Sequence, residues 1–294
     1  MRPLFLALPG NEDAAMGLAA AAGGSLCACE FRTFPDGESY LRVEDDPCGR
    51  TVVLVCSLVH PNEKILPLIF AADTLRELGV DRLGLVAPYL AYMRQDCRFH
   101  AGEAVTSRSF AGLICRSFDW LVTVDPHLHR YNSLEEIYSI PCRALHAGPL
   151  LADWIERNVD RPFLIGPDNE SRQWVAAVAF DCGAGSGVFQ KSRLSDRSVS
   201  IAAGHLRIPP NATPVLVDDI VSSGATMLKA LEAVREQTPA PAIAMAIHGV
   251  GGDEMAAAFG KINARLVTTN SNSNPKAEID ILGLLASGLK GLID

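Results

Sequence analysis

The chain has 294 residues, 48% of them hydrophobic, which is enough to bury two ordinary cores at about 100–200 residues per domain. Its formal net charge of −8 argues against a general nucleic-acid or acidic-membrane surface, so any polyanion must be held in a local pocket. The apolar run at the N-terminus is too short for a signal peptide, and no segment has the length to span a membrane. Eight cysteines are scattered with no C-x-x-C pair and read as reduced thiols of a cytoplasmic protein. Cys27-Ala-Cys29 lacks a second pair at zinc-ligand spacing.

Taken along the chain, short apolar runs at 4–8, 51–59, 83–87 and 121–124 are predicted strands. The stretches 62–78 and 107–117 carry apolar residues at three- and four-residue spacing and are predicted helices. The second half repeats this layout, with strands at 163–165, 215–217, 243–247 and 265–268 and helices near 150–157, 172–180 and 225–235. This alternation predicts an α/β chain of two doubly wound parallel sheets. Pro141 and Gly148-Pro149 punctuate the chain between the halves, which places the domains at 1–145 and 146–294. Gly183-Ala-Gly185-Ser-Gly187 has no preceding strand and no third glycine at the dinucleotide-loop offset, so it is a turn between a helix and a short strand. Gly249-Val-Gly251-Gly252 follows a strand, as a plain loop or a local anion contact.

Ligands of doubly wound folds gather outside the carboxyl ends of the strands, and five segments map there. The most informative is Val215-Leu-Val-Asp218-Asp219-Ile220-Val221-Ser222-Ser223-Gly224-Ala225-Thr226. Its apolar opening predicts a buried strand ending in two carboxylates suited to sugar hydroxyls. The hydroxyl-rich turn that follows leads into a helix, whose N-terminal donors suit a phosphate. Together they describe a ribose 5-phosphate cradle. A nucleotide hydrolase would need a G-x-x-x-x-G-K-[ST] loop, which is absent. Phe34-Pro-Asp36-Gly37-Glu38 sets an aromatic and two acids on a glycine turn, and Arg94-Gln95-Asp96-Cys97-Arg98 offers guanidinium groups for phosphates beside polar groups for a nucleotide. His127 or His129, at one strand end, could share a divalent ion with Asp168 at another. The cationic run from Gln190 to Arg197, including Lys191 and Arg193, suits a mobile flap that brings positive charge to a phosphoryl transition state.

In family order, Phe-Pro-Asp-Gly-Glu, Pro-Tyr-x-x-Tyr-x-Arg-Gln-Asp, Val-Asp-x-His, Gly-Pro-Asp, Lys-x-Arg and Val-Asp-Asp-Ile-Val-Ser-Ser-Gly-Ala-Thr resemble the ribose-phosphate pyrophosphokinase (PRPP synthetase) family over about residues 4–280. Cys97, Pro126 and Ser222-Ser-Gly-Ala depart from common family residues and suggest a divergent branch. The resemblance implies two tandem doubly wound parallel-sheet domains of phosphoribosyltransferase type, with the active site between them and a neighbouring subunit of a homodimer or higher homo-oligomer completing the ATP pocket. It implies that Phe34, Asp36, Glu38, Arg94, Gln95, Asp96 and Arg98 meet ATP. His127 and Asp168 would organise magnesium. Lys191 and Arg193 would form the catalytic flap, while Asp218, Asp219, Ser222, Ser223, Gly224, Ala225 and Thr226 would hold ribose 5-phosphate. The activity implied is pyrophosphoryl transfer from ATP to ribose 5-phosphate, with no nucleic-acid or membrane partner. The alternatives are a phosphoribosyltransferase, which the cradle alone would support, and a non-catalytic regulatory subunit of the same family.

Overall fold

The computed structural model describes residues 1–169, 171–195, 198–202, 206–272 and 274–293, leaving out the side chains of Gln173 and of residues 190–202. The chain forms two compact units, Met1–Leu145 with Ser271–Ser273 and Ile281–Asp294, and His146–Asn270 with Asn274–Asp280.

The first unit runs β1 (Leu4–Ala7), α1 (Glu12–Ala21), β2 (Ser25–Leu26), β3 (Cys29–Thr33), β4 (Ser39–Val43), β5 (Thr51–Val55), α2 (Pro61–Glu77), β6 (Arg82–Ala87), α3 (Thr106–Ser117), β7 (Trp120–Val124) and β8 (Cys142–Leu145). A parallel six-stranded sheet has the order β2-β1-β5-β6-β7-β8. Its central strands are apolar on both faces, as a sheet covered on both sides requires. On one face, Leu54, Leu85 and Leu121 pack with Leu68, Leu75, Phe110 and Ile114 of α2 and α3. Gly84 pairs with Trp120 across β6 and β7, and a Cβ at Gly84 would lie 1.9 Å from the indole, so this register needs glycine there. Strand β5 stops at Val55 rather than 59, because Pro61 then opens α2 and leaves only a short connection. β3 and β4 form a separate antiparallel hairpin. One of its faces, with Phe31, Leu41 and Val43, packs on the core. The strands β2 and β8 lie outside the sequence expectation, being short and without a long apolar run.

The second unit runs α4 (Gly148–Asn158), β9 (Pro162–Gly166), α5 (Arg172–Asp181), β10 (Gly185–Val188), β11 (Gln190–Ser195), β12 (Ser198–Ala202), β13 (Thr213–Val221), α6 (Ala225–Arg235), β14 (Ala242–Gly249), α7 (Asp253–Lys261) and β15 (Ala264–Thr268). Its parallel sheet has the order β10-β9-β13-β14-β15. Leu216, Ala244 and Ala246 pack with Met227, Leu231 and Phe259. Gly183, with a left-handed φ of +65°, turns the chain from α5 into β10, whereas Gly185 and Gly187, expected in the same turn, lie within β10 and pair with Phe163 and Ile165 of β9.

The last helix, α8 (Leu282–Leu289), belongs to the first unit, whereas the sequence layout assigned everything after 145 to the second half. Small residues account for this placement. A Cβ on Gly17 of α1 would sit 2.5 Å from Leu282, and one on Gly288 would sit 2.7 Å from Leu145. Arg143 Nη1 donates to the carbonyls of Gly288 (2.8 Å) and Lys290 (2.6 Å), satisfying the C-terminal end of α8. Such close-approach sites carry no hydrophobic periodicity, so the return is invisible to a pattern of apolar spacing. Among the described residues, no helix is long and apolar enough to cross a membrane.

Candidate active site

In the second unit, β13 runs through the carboxylate pair to Val221 instead of ending before it. Asp218 pairs with Ala246 and Val221 with Gly249 of β14. On the other side, pairing with β9 ends at Leu216 and Ile165. The carboxylates therefore emerge where one neighbouring strand has stopped, a position set by unequal strand lengths rather than by the end of β13. Asp219 N–H donates to Asp218 Oδ1 at 3.0 Å. Burial, followed by the charge of Asp219 and a weaker contribution from Asp168, pushes the Asp218 carboxyl up to about 8.

Beyond Val221, the Val250 N–H donates to the Val221 carbonyl at 2.9 Å, and Gly224 takes a left-handed φ of +76° immediately before α6. A side chain at Gly224 would be strained by that φ and would meet the Phe259 ring at 3.2 Å. Ser222 is half-buried, while Ser223, Ala225 and Thr226 are exposed at the helix start. Ser223 Oγ accepts from Ala225 N–H at 3.4 Å. At the end of β9, Asp168 is half-buried, its carboxylate accepting from Ser171 N–H at 3.4 Å. Lys191 and Arg193 lie on β11, paired antiparallel with β12 as Lys191↔Ile201 and Arg193↔Val199, with a register shift between Arg193 and Ser195. Their side chains, and residues 196 and 197 at the far end of the expected flap, lie outside the described structure.

In the first unit, non-glycine residues with left-handed backbone follow three neighbouring strands: His60 (φ 53°) after β5, Tyr92 (φ 61°) after β6 and Asp125 (φ 33°) after β7. Each such residue costs about 1–3 kcal/mol, but Arg161, Asn211 and Asn263 take the same conformation just before β9, β13 and β15, so this backbone does not by itself mark a site. The His127 and His129 rings stack with centroids 3.7 Å apart, His127 half-buried and His129 exposed. Phe34, Asp36 and Glu38 are exposed at the tip of the β3–β4 hairpin. There, Phe34 N–H donates to the Glu38 carbonyl (2.8 Å) and Gly37 supplies a φ of +94°. The Arg32 guanidinium lies 4.9 Å from the Phe34 ring centroid and 3.9 Å from that of Tyr40.

After β6, Arg94 and Arg98 are exposed and Gln95 is half-buried, but Asp96 turns inward. Its carboxylate accepts from Arg130 Nε at 3.2 Å, with the aspartate side chain 5% exposed. The Tyr131 hydroxyl donates to the Asp96 carbonyl at 3.1 Å, and the Glu103 carboxylate accepts from the N–H groups of Phe99 (2.7 Å) and His100 (3.0 Å). Motif reading missed Arg130, Tyr131 and Glu103, because their roles arise from loop closure and leave no local pattern.

The N-terminal domain model of ribose phosphate pyrophosphokinase matches residues 4–117, and the phosphoribosyl transferase domain model matches residues 133–276. A ribose-phosphate pyrophosphokinase of Methanothermobacter thermautotrophicus is 31% identical over 267 residues, covering 90% of this chain and 92% of that relative. One from Methanopyrus kandleri is 34% identical over 251 residues, 84% of each chain. The crystal structure of phosphoribosylpyrophosphate synthetase from Mycobacterium smegmatis superposes with a TM-score of 0.87 over 99% of both chains at 22% identity, a likeness of fold.

Proposed function

The chain belongs to the ribose-phosphate pyrophosphokinase family, and from that premise we propose how its residues make PRPP and AMP from ATP and ribose 5-phosphate. Family membership over both halves of the chain carries the activity, and the observation that carries the ribose 5-phosphate site is the carboxylate pair of β13, which opens through the Gly224 turn into the start of α6. Asp218 and Asp219 accept hydrogen bonds from the ribose hydroxyls. Ser222, Ser223, Gly224, Ala225 and Thr226 receive the 5-phosphate through backbone N–H and hydroxyl donors at the positive end of the helix. Arg94, Gln95 and Arg98 bind the nucleotide, with Phe34, Asp36 and Glu38 contributing on the adenine side from a neighbouring copy of the chain.

In the reaction, the ribose 1-hydroxyl oxygen forms a bond to the β-phosphorus of ATP, the bond from that phosphorus to the α,β-bridging oxygen breaks, AMP leaves and the hydroxyl proton passes to the medium. No covalent enzyme intermediate is needed, so positioning and charge neutralisation do the work. Lys191 and Arg193 supply positive charge where negative charge develops. The donor set also suits magnesium: oxygen ligands are at hand in Asp168 and the Asp218–Asp219 pair, whose mutual repulsion in a partly buried setting favours a cation. Asp168 and His127 are the residues that would hold the ion, which when bound neutralises phosphate charge.

Incubating the purified protein with ribose 5-phosphate, Mg²⁺ and ATP should release AMP and PRPP in equal amounts. Release of neither product would defeat the assignment. Consumption of PRPP with a free base, and no formation from ATP, would make the protein a phosphoribosyltransferase.

A further inference from the structure

We propose that Arg130 is a positioning residue for the nucleotide loop: by joining the buried Asp96 carboxylate to the Phe99 ring, it holds Arg94 to Arg98 in the form that receives the nucleoside triphosphate. The proposal rests on the reading of that loop as the ATP site. The loop leaves β6 with two exposed guanidinium groups on a connection of 18 residues between Ala87 and Thr106. A connection of this length stays ordered only if its backbone and side chains find partners.

Three groups provide them. Glu103 accepts the Phe99 and His100 N–H groups and closes the distal end, while Arg98 Nε donates to the Glu103 carbonyl at 2.8 Å. The Tyr131 hydroxyl, 3.3 Å from Ser107 Oγ, donates to the Asp96 carbonyl and ties the middle of the loop to α3. Arg130 supplies the third. Its Nε meets Asp96 Oδ1 at 3.2 Å, and its guanidinium carbon lies 5.6 Å from the Phe99 ring centroid.

Asp96 thus belongs to the scaffold of the loop rather than to the surface that meets ATP. A carboxylate this buried requires its cation, because truncating one partner strands the other charge away from water. Arg130 lies three residues after His127, so one short segment past β7 carries both the candidate metal ligand and the brace of the nucleotide loop. A guanidinium suits the task because its planar fork can bond a carboxylate along one edge and face a ring with its plane.

The test is steady-state kinetics on Arg130→Ala, Arg130→Lys and Asp96→Asn, with Arg94→Ala as the control for the loop's role. Arg130→Ala should raise the KM for ATP about tenfold, as loss of one charge-assisted hydrogen bond does, with kcat changed less than about threefold and the KM for ribose 5-phosphate unaltered. Combining Arg130→Ala with Asp96→Asn should raise the KM no further than the worse single change. Lysine keeps the charge but neither the fork nor the flat face, and should recover less than about half of the loss. Should alanine prevent folding, as judged by near-ultraviolet circular dichroism, the lysine variant carries the same expectation of a raised KM for ATP. A normal KM for ATP in the folded Arg130 variants, beside a raised one in Arg94→Ala, would overturn the positioning role while leaving the ATP site in place. An Arg94→Ala enzyme with unchanged ATP kinetics would overturn the site itself. Full recovery by lysine would show that charge alone suffices and would end the bridging argument.

Discussion

Replacing Asp218 by asparagine removes the most perturbed carboxyl of the candidate site and should stabilise the metal-free protein while impairing its function. The Asp218 carboxyl is raised from 3.8 to about 8, first by burial and then by Asp219. Between these values the folded chain holds a proton that the unfolded chain releases. The stability associated with that proton is complete below about pH 4 and is lost as pH rises through about 8. A rise of this size, at about 1.4 kcal/mol for each pH unit, sets a ceiling of about 6 kcal/mol. Because the side chain is only partly buried, solvent and relaxation leave about 2–3 kcal/mol of this. The amide of the Asp218→Asn variant has no proton to lose, and its oxygen can still accept the Asp219 N–H. In calorimetry with a chelator present, the second unit of the variant should melt about 5–10 °C above the wild type at pH 9, with a much smaller gap at pH 5. The same variant should use ribose 5-phosphate poorly, so that stability is gained where function is lost. A gap that does not change with pH, or a wild type more stable than the variant at pH 9, would refute the electrostatic reasoning.

Asp219→Ala or Thr226→Ala should raise the KM for ribose 5-phosphate far more than the KM for ATP, which initial rates with each substrate varied in turn will resolve. Equal losses would count against the cradle. Lys191→Ala and Arg193→Ala should each lower kcat by about 10²–10³ with KM values nearly unchanged, and the double variant should fall short of the product of the singles. Near-normal kcat in both singles would remove the flap from the chemistry. Gly84→Ala, which drives a Cβ into the Trp120 indole, should cost about 1–3 kcal/mol in chemical denaturation without altering the KM of either substrate in the surviving folded fraction.

Much of this protein is written locally. The apolar runs that became β5, β6, β7 and β14 are legible because a strand covered on both faces must be apolar on both, and the helices between them show the 3.6-residue period. The strand, turn and helix start of the proposed cradle were legible for a related reason: Asp218, Asp219 and the Ser222-to-Thr226 turn are contiguous, so all three fall in one window of sequence. Tertiary structure decided what depends on partners remote in the chain. The carboxylates emerge at Asp218 because β9 stops pairing at Ile165, some fifty residues earlier, a length mismatch with no trace in the motif. Helix α8 joins the first unit because Gly17 and Gly288 leave room for Leu282 and Leu145. Asp96, two positions from the exposed Arg94, is drawn inward by an arginine 34 positions away. Local spacing records which residues share a face, whereas the burial of a charge depends on whether the fold delivers its counter-charge.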